Sequence, residues 1–166
     1  MFKSLPVVLL SLLASPALAA PPPRDMSNFA GRMLEGHNLA RRELGLASLQ
    51  WDEALARDAD DWARGLAYRN RFEHSHAEVV GENLWMGTSG RFTYEDMLET
   101  WAREKLDYRH GAFPDVSPSG RVVGHYTQMV WSTTTHVGCA LAPSDRFEYL
   151  VCRYSPQGNW IGQRAY

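Results

Sequence analysis

Five side chains able to bind a metal or move a proton stand in four separate stretches. His74 and His76 lie in "EHSHAE", Glu82 in "VVGENLW", Glu104 in "WAREKLDY" and His125 in "GHYTQMVW". Each stretch sets its polar group near Phe, Trp or Tyr. A buried carboxylate needs a proton, a cation or hydrogen-bond donors. Two imidazoles and two carboxylates at one place would ligate a divalent cation or work as acid and base. Taken singly, each of these residues is more simply structural, so the chemistry depends on what brings them together.

Complete catalytic patterns are missing. The chain has no H-E-x-x-H, no G-x-S-x-G and no Walker loop. "HAE" at 76–78 matches the H-x-E of nucleobase deaminases, but the downstream P-C-x-x-C is absent. Ser75 stands between two histidines, yet neighbours on an extended chain face opposite ways, which puts His74 and His76 on one side and Ser75 on the other. No catalytic residue is therefore established. Glu82 and Glu104 are the candidates for acid or base roles.

The elements that must position these residues follow from periodicity. Residues 29–44 read as a helix with Ser27 or Asn28 as cap and Gly45 as stop. "SLQW" at 48–51 is a short extended piece, and Asp52 caps a second helix whose apolar face is Leu55, Ala59, Trp62 and Leu66. "VVGENLWMG" reads as a strand closed by "GTSG". Thr93 and Asp96 resemble a capping box that opens a third helix through about Leu106. Residues 111–123 read as an exposed loop, and "HYTQMVW" is long enough only for a short helix. "HVGCALA" and "FEYLVCRYS", joined by "PSDR", predict a hairpin, and "PQGNW" a turn over an exposed tail. Helices and strands do not alternate one for one, so the expected class is α+β with an antiparallel sheet.

The first residues are a targeting segment. Lys3, the apolar "LPVVLLSLLA" and "ALA" at 17–19 predict a signal peptide over 1–19, followed by an extended leader over 20–28 that contains "PPP". Cleavage leaves 147 of the 166 residues and, with Lys3 gone, moves the formal charge from −2 to −3. That length suits one domain, residues 29–166. The absence of a basic run argues against nucleic acid and against stable membrane anchoring. Six Trp, seven Tyr and six Phe argue against disorder. In a secreted or periplasmic protein Cys139 and Cys152 most simply form one disulfide across the hairpin, and no C-x-x-C exists for redox work.

"GHYTQMVWSTT" at 124–134 and "YLVCRYSPQGNW" at 149–160 resemble the two signature motifs of the CAP superfamily, the cysteine-rich secretory, antigen 5 and pathogenesis-related 1 proteins that share the SCP/TAPS domain. "HN" at 37–38, "LQW" at 49–51, "HS" at 74–75, "GENLW" at 81–85 and "EK" at 104–105 follow in the family's order. The resemblance implies a three-layer α-β-α sandwich with a central antiparallel sheet and an open cleft. It implies a cleft tetrad of His74, Glu82, Glu104 and His125, with His74 preferred to His76 because the family places His directly before Ser. It also implies that His74 and His125 are the metal ligands and that the glutamates act through water and hydrogen bonds. With one possible disulfide and no cysteine-rich tail, the chain resembles the compact bacterial members.

Three function classes follow. The first is an exported, non-catalytic binding module whose cleft takes a divalent cation, zinc by ligand type, and whose cleft or surface takes a small apolar ligand, a peptide or a protein partner. The second is a metal-dependent hydrolase acting on peptides from the same cleft. The third is an envelope-directed defence or structural protein. A two-histidine site leaves most of the coordination to water, which predicts a weakly bound, non-obligatory cation, and the chain reads as a monomer or weak dimer.

Overall fold

The computed structural model describes residues 26–76 and 79–166. The signal peptide expected at 1–19 and the leader through residue 25 lie outside the described residues. The three residues before the first helix, Met26–Asn28, form a 3-10 turn. This turn feeds α1 (Phe29–Arg42), whose cap is Asn28 and which ends before Gly45, a residue at φ +68 where a side chain would be strained.

β1 is only Gln50–Trp51. The Asp52 side chain then accepts from the amides of Ala54 and Leu55 and starts α2 (Glu53–Arg69). β2 (Gly81–Thr88) follows, then α3 (Tyr94–Ala102) with the expected capping box: Thr93 accepts from the Asp96 amide and Asp96 accepts from Thr93. The turn expected to finish this helix is a 3-10 segment, Arg103–Leu106. α4 (Gly124–Met129) is short, and β3 (His136–Pro143) with β4 (Phe147–Ser155) makes the hairpin.

The sheet order is β1-β3-β4-β2. β4 runs antiparallel to both β2 and β3, but β1 pairs parallel to β3, so the sheet is mixed rather than purely antiparallel. α2 covers one face; α1, α3 and α4 lie over the other, which gives the α-β-α sandwich. Strand alternation divides the core accordingly. Leu84, Tyr149 and Val151 meet Ala59, Ala63 and Leu66 of α2, while Trp85, Leu150, Cys152 and Tyr154 meet Met33, Met97, Trp101 and Met129. α2 sits close on the sheet because Gly138 faces it: a Cβ there would come within 2.7 Å of the Leu55 carbonyl carbon.

Cys139 and Cys152 are directly opposite in the β3–β4 register and are bonded as a disulfide. Buried Arg41 gives its guanidinium protons to the carbonyls of Ala47, Met129, Trp131 and Thr134, so α1 holds the C-terminal end of α4 in place. The tail expected to be exposed is docked instead. Trp160 and Ile161 are exposed, but Ala165 is buried, the Ser132 amide donates to its carbonyl at 2.6 Å, and Tyr166 packs on Tyr108 and His110.

Candidate functional site

The tetrad expected from the sequence divides into two His–Glu pairs built in different ways. In the first, Glu104 projects from the 3-10 turn after α3 towards the start of α4. One carboxylate oxygen accepts from the His125 ring Nδ1 at 2.6 Å; the other accepts from the backbone amides of His125 and Tyr126, both at 3.0 Å. Val123, the residue before α4, supplies no side-chain cap, so Glu104 caps the helix from a distant turn and also fixes the imidazole. The ring is held on its face as well, stacked on Trp101 with an interplanar angle of 9°. Trp101 is itself buried, and its indole N–H donates to the Leu84 carbonyl.

In the second pair, His74 Nδ1 lies 2.5 Å from Glu82 Oε1. His74 belongs to an irregular segment, residues 71–76, and its side chain is 62% exposed, against 26% for His125. Glu82 is on edge strand β2 directly opposite Arg153 on β4. Its carboxylate also accepts from the Ser75 amide at 3.0 Å and from Arg153 Nη1 at 2.6 Å. Burial pushes the Glu82 carboxyl up, but the His74 hydrogen bond, the Arg153 charge and the Ser75 contacts outweigh it and leave the pKa below the usual carboxylate value. His76 is exposed.

A buried polar chain runs beneath these pairs. His37 Nδ1 lies 2.7 Å from the Met33 carbonyl, which can only accept, so Nδ1 carries the proton. Burial pushes the ring pKa down to about 4, the Met33 bond opposing and the Arg41 charge adding to the fall. The neutral ring therefore accepts at Nε2 from the Tyr154 hydroxyl, 2.7 Å away. Tyr154 in turn accepts from Asn83 Nδ2, which also donates to the His125 carbonyl, both at 3.0 Å. Asn83 follows Glu82 on β2, so this chain ties the strand of one pair to the backbone of the other.

In both pairs Nδ1 faces a carboxylate, and neither Nε2 makes a hydrogen bond among the described residues, so Nε2 is the nitrogen left to meet a cation. A carboxylate behind a histidine is the usual support of a metal-bound imidazole. The donor set therefore fits a divalent cation held by nitrogen. It supplies few protein ligands: among the described residues no three donor atoms of the tetrad lie within 4.8 Å of one another. The one group that does is His37, Cys139 and Cys152, whose sulfurs are already joined to each other. Glu82 and Glu104 each accept three or more hydrogen bonds, which suits orientation better than proton transfer.

Apart from the tetrad, α1 and α3 border an apolar groove of about 370 Å³. Leu39, Ala40, Leu98, Ala102 and Met129 line it, and the ion pairs Arg32–Glu95 and Lys105–Glu43 stand at its edge. Reasoning from the sequence missed Arg153, Asn83 and Tyr154 at the site. Arg153 left a visible signal, a charge inside the otherwise apolar "YLVCRY" strand.

A mixed sheet between helical layers, closed by a single disulfide, defines a small α-β-α sandwich that carries two His–Glu pairs. Residues 34–154 match the model of the Cysteine-rich secretory protein family, CAP, and the chain belongs to that family. It is 39% identical over 134 residues to Pathogenesis-related protein 1C of Nicotiana tabacum, covering 80% of this chain and 78% of that one. It is 34% identical to Peptidase inhibitor R3HDML of Mus musculus, covering 86% of this chain and 63% of the relative. Among solved structures, the zinc-bound crystal structure of NaASP2 superposes with a TM-score of 0.71 at 25% identity, covering 88% and 89% of the two chains. Venom allergen-like protein 4 of Schistosoma mansoni shares the fold, with a TM-score of 0.66 at 20% identity over 83% of this chain and 97% of that one. No helix among the described residues is long and apolar enough to cross a membrane.

Proposed function

We propose that this chain is an exported, non-catalytic binding module, processed after Ala19 and folded as one CAP domain over 29–166. In this reading His74 and His125 hold one exchangeable divalent cation and the α1–α3 groove takes a small apolar ligand. The observation that carries the reading is that each imidazole commits Nδ1 to a carboxylate, so both rings are oriented to ligate through Nε2. Zinc suits such nitrogen ligands, and the zinc-bound NaASP2 structure belongs to a similar chain. When bound, the cation would supply Lewis acidity at the cleft; His74 and His125 hold it, and Glu82 and Glu104 hold the histidines. The disulfide supports an oxidising compartment.

The engaged carboxylates favour binding over hydrolysis. A general base must reach substrate with a free lone pair at the right protonation, and both glutamates already accept three or more hydrogen bonds. The test is calorimetric zinc titration of the mature protein, together with a peptide and ester substrate screen. Weak binding that disappears in His74→Ala and in His125→Ala, persists in His76→Ala, and comes without turnover is the expected result. Turnover that vanishes with either histidine would replace this reading by the hydrolase. For the groove, straight-chain fatty acids followed by native mass spectrometry are expected to bind, and Ala102→Phe, which fills the groove, is expected to prevent it.

A further inference from the structure

His125 is fixed by an aromatic face and by a helix, but His74 has neither. Its segment, residues 71–76, has no regular structure, and Phe72, Glu73, His74 and His76 are all exposed. Among the described residues, the Arg153 side chain reaches this segment from the sheet. Arg153 is buried, with 3% of its side chain exposed, and Nη1 donates at 2.6 Å both to the Ser75 hydroxyl and to Glu82 Oε2. Its Nε lies 2.9 Å from Asp58 Oδ2 of α2, an ion-pair distance without hydrogen-bond alignment. One guanidinium thus joins α2, β2, β4 and the residue next to His74.

We propose that Arg153 is a positioning residue for the cation site: it clamps Ser75 and Glu82 together and so holds the His74 imidazole in its ligating orientation. The proposal rests on the reading of His74 as a metal ligand. The two protons of Nη1 serve Ser75 and Glu82 on different elements, while the rigid plane of the guanidinium keeps Nε beside Asp58. A lysine ammonium could also donate to both acceptors, but it sits on a flexible stem and offers no second nitrogen beside Asp58. Two further tethers on the segment are longer: the Trp62 indole donates to the Glu73 carbonyl at 3.3 Å, and the Arg71 amide bonds back to Leu66 at 3.1 Å. A purely structural Arg153 would have a different signature. Its loss would then lower the stability of the whole domain and leave the 71–76 segment no looser than the rest.

The experiment compares Arg153→Gln, Arg153→Lys and Ser75→Ala with the wild type by zinc calorimetry and by native-state hydrogen exchange. Removing the support behind a metal-bound histidine weakens binding about 10-fold or more, and Arg153→Gln is expected to do so while exchange accelerates in 71–76 beyond any change in global stability. Arg153→Lys should recover part of the affinity. Ser75→Ala should weaken binding less, and adding it to Arg153→Gln should cost almost nothing further, because the two groups form one contact. Unchanged loop exchange, or zinc affinity within about twofold of the wild type, overturns the proposal. If Arg153→Gln does not fold, Ser75→Ala decides by the same two readouts. A wild type that binds no zinc removes the metal reading instead, and the exchange measurement still decides whether Arg153 holds the segment.

Discussion

The two His–Glu pairs use the same chemistry on different supports. His125 is held by packing and backbone: a stacked indole, a helix terminus and a buried chain reaching back to His37. His74 is held by an ionic clamp behind it, the buried Glu82–Arg153 pair with Asp58, the last of these 56% exposed. Packed contacts respond to lost volume and to protons, and ionic clamps respond to salt. The comparison divides the tetrad into a rigid half around His125 and an adjustable half around His74.

The largest blow to the rigid half is Trp101→Ala. Trp101 is buried, supports the His125 ring and donates to Leu84, so its loss should cost about 3–5 kcal/mol. Urea unfolding measures the cost. Zinc calorimetry should show weaker binding as well. A variant that keeps full zinc affinity would show that the stacked face does not position His125.

Acid should strike the same half next. His37 has its pKa pushed down to about 4, against about 6.5 in an unfolded chain. The sign follows from linkage: the unfolded state takes up the proton first, so the stability that neutral His37 contributes is complete above about pH 6.5 and falls as pH drops towards 4. The span of that loss is about 3 kcal/mol. Glu82 adds to acid sensitivity in a lower window, because a depressed carboxyl pKa gives stability that is lost as pH falls through the folded value. Denaturation midpoints of wild type and His37→Gln between about pH 7 and 4 separate the two. The variant should be less stable but flatter over this range, and an equally steep profile would place the acid sensitivity elsewhere.

Much of the scaffold was legible because local rules agreed with the fold. The Asp52 cap, the Thr93–Asp96 capping box and the strand pair carrying Cys139 and Cys152 all follow from local pattern. The parallel pairing of β1 was not legible, since a two-residue strand carries no periodicity and its direction is set by α1 and α2 around it. Nor was the docking of Ala165, which depends on a backbone bond to Ser132 that no side-chain pattern announces. At the site, the signature motifs pointed to the tetrad, but nothing in residue spacing says that Glu104 would cap α4 or that Asn83 would join strand to helix. Such contacts arise between elements distant in sequence, and one chain alone does not encode them as a period.

A smaller effect is expected from Glu104→Gln. The amide keeps the shape but offers its NH2 group towards backbone and ring N–H groups that need an acceptor. Leaving one partly buried donor unsatisfied costs about 1–3 kcal/mol. Because these bonds are to backbone amides at a packed helix end, the loss should be nearly independent of ionic strength. Unfolding measured in low and high sodium chloride checks this, and a loss that disappears in high salt would place Glu104 with the ionic half.

The adjustable half should give the smallest and most selective response, and salt is the way to read it. The Debye length shrinks from about 10 Å at 0.1 M to about 3 Å at 1 M salt. Glu82 and Arg153 are shielded from solvent, so their contact should survive this change. Asp58 is not, and its share of the clamp should weaken. Exposed ion pairs contribute about 0.2–1 kcal/mol. Amide exchange across 71–76 should therefore accelerate by no more than a few-fold between low and high sodium chloride, while the amides of α4 stay constant. Equal acceleration in both regions would mean that salt acts on the whole domain and that the two halves share one kind of support. No acceleration in either would mean that the buried contact of Arg153 with Glu82 and Ser75 fixes the segment without help from Asp58, and the adjustable half would then be as rigid as its partner.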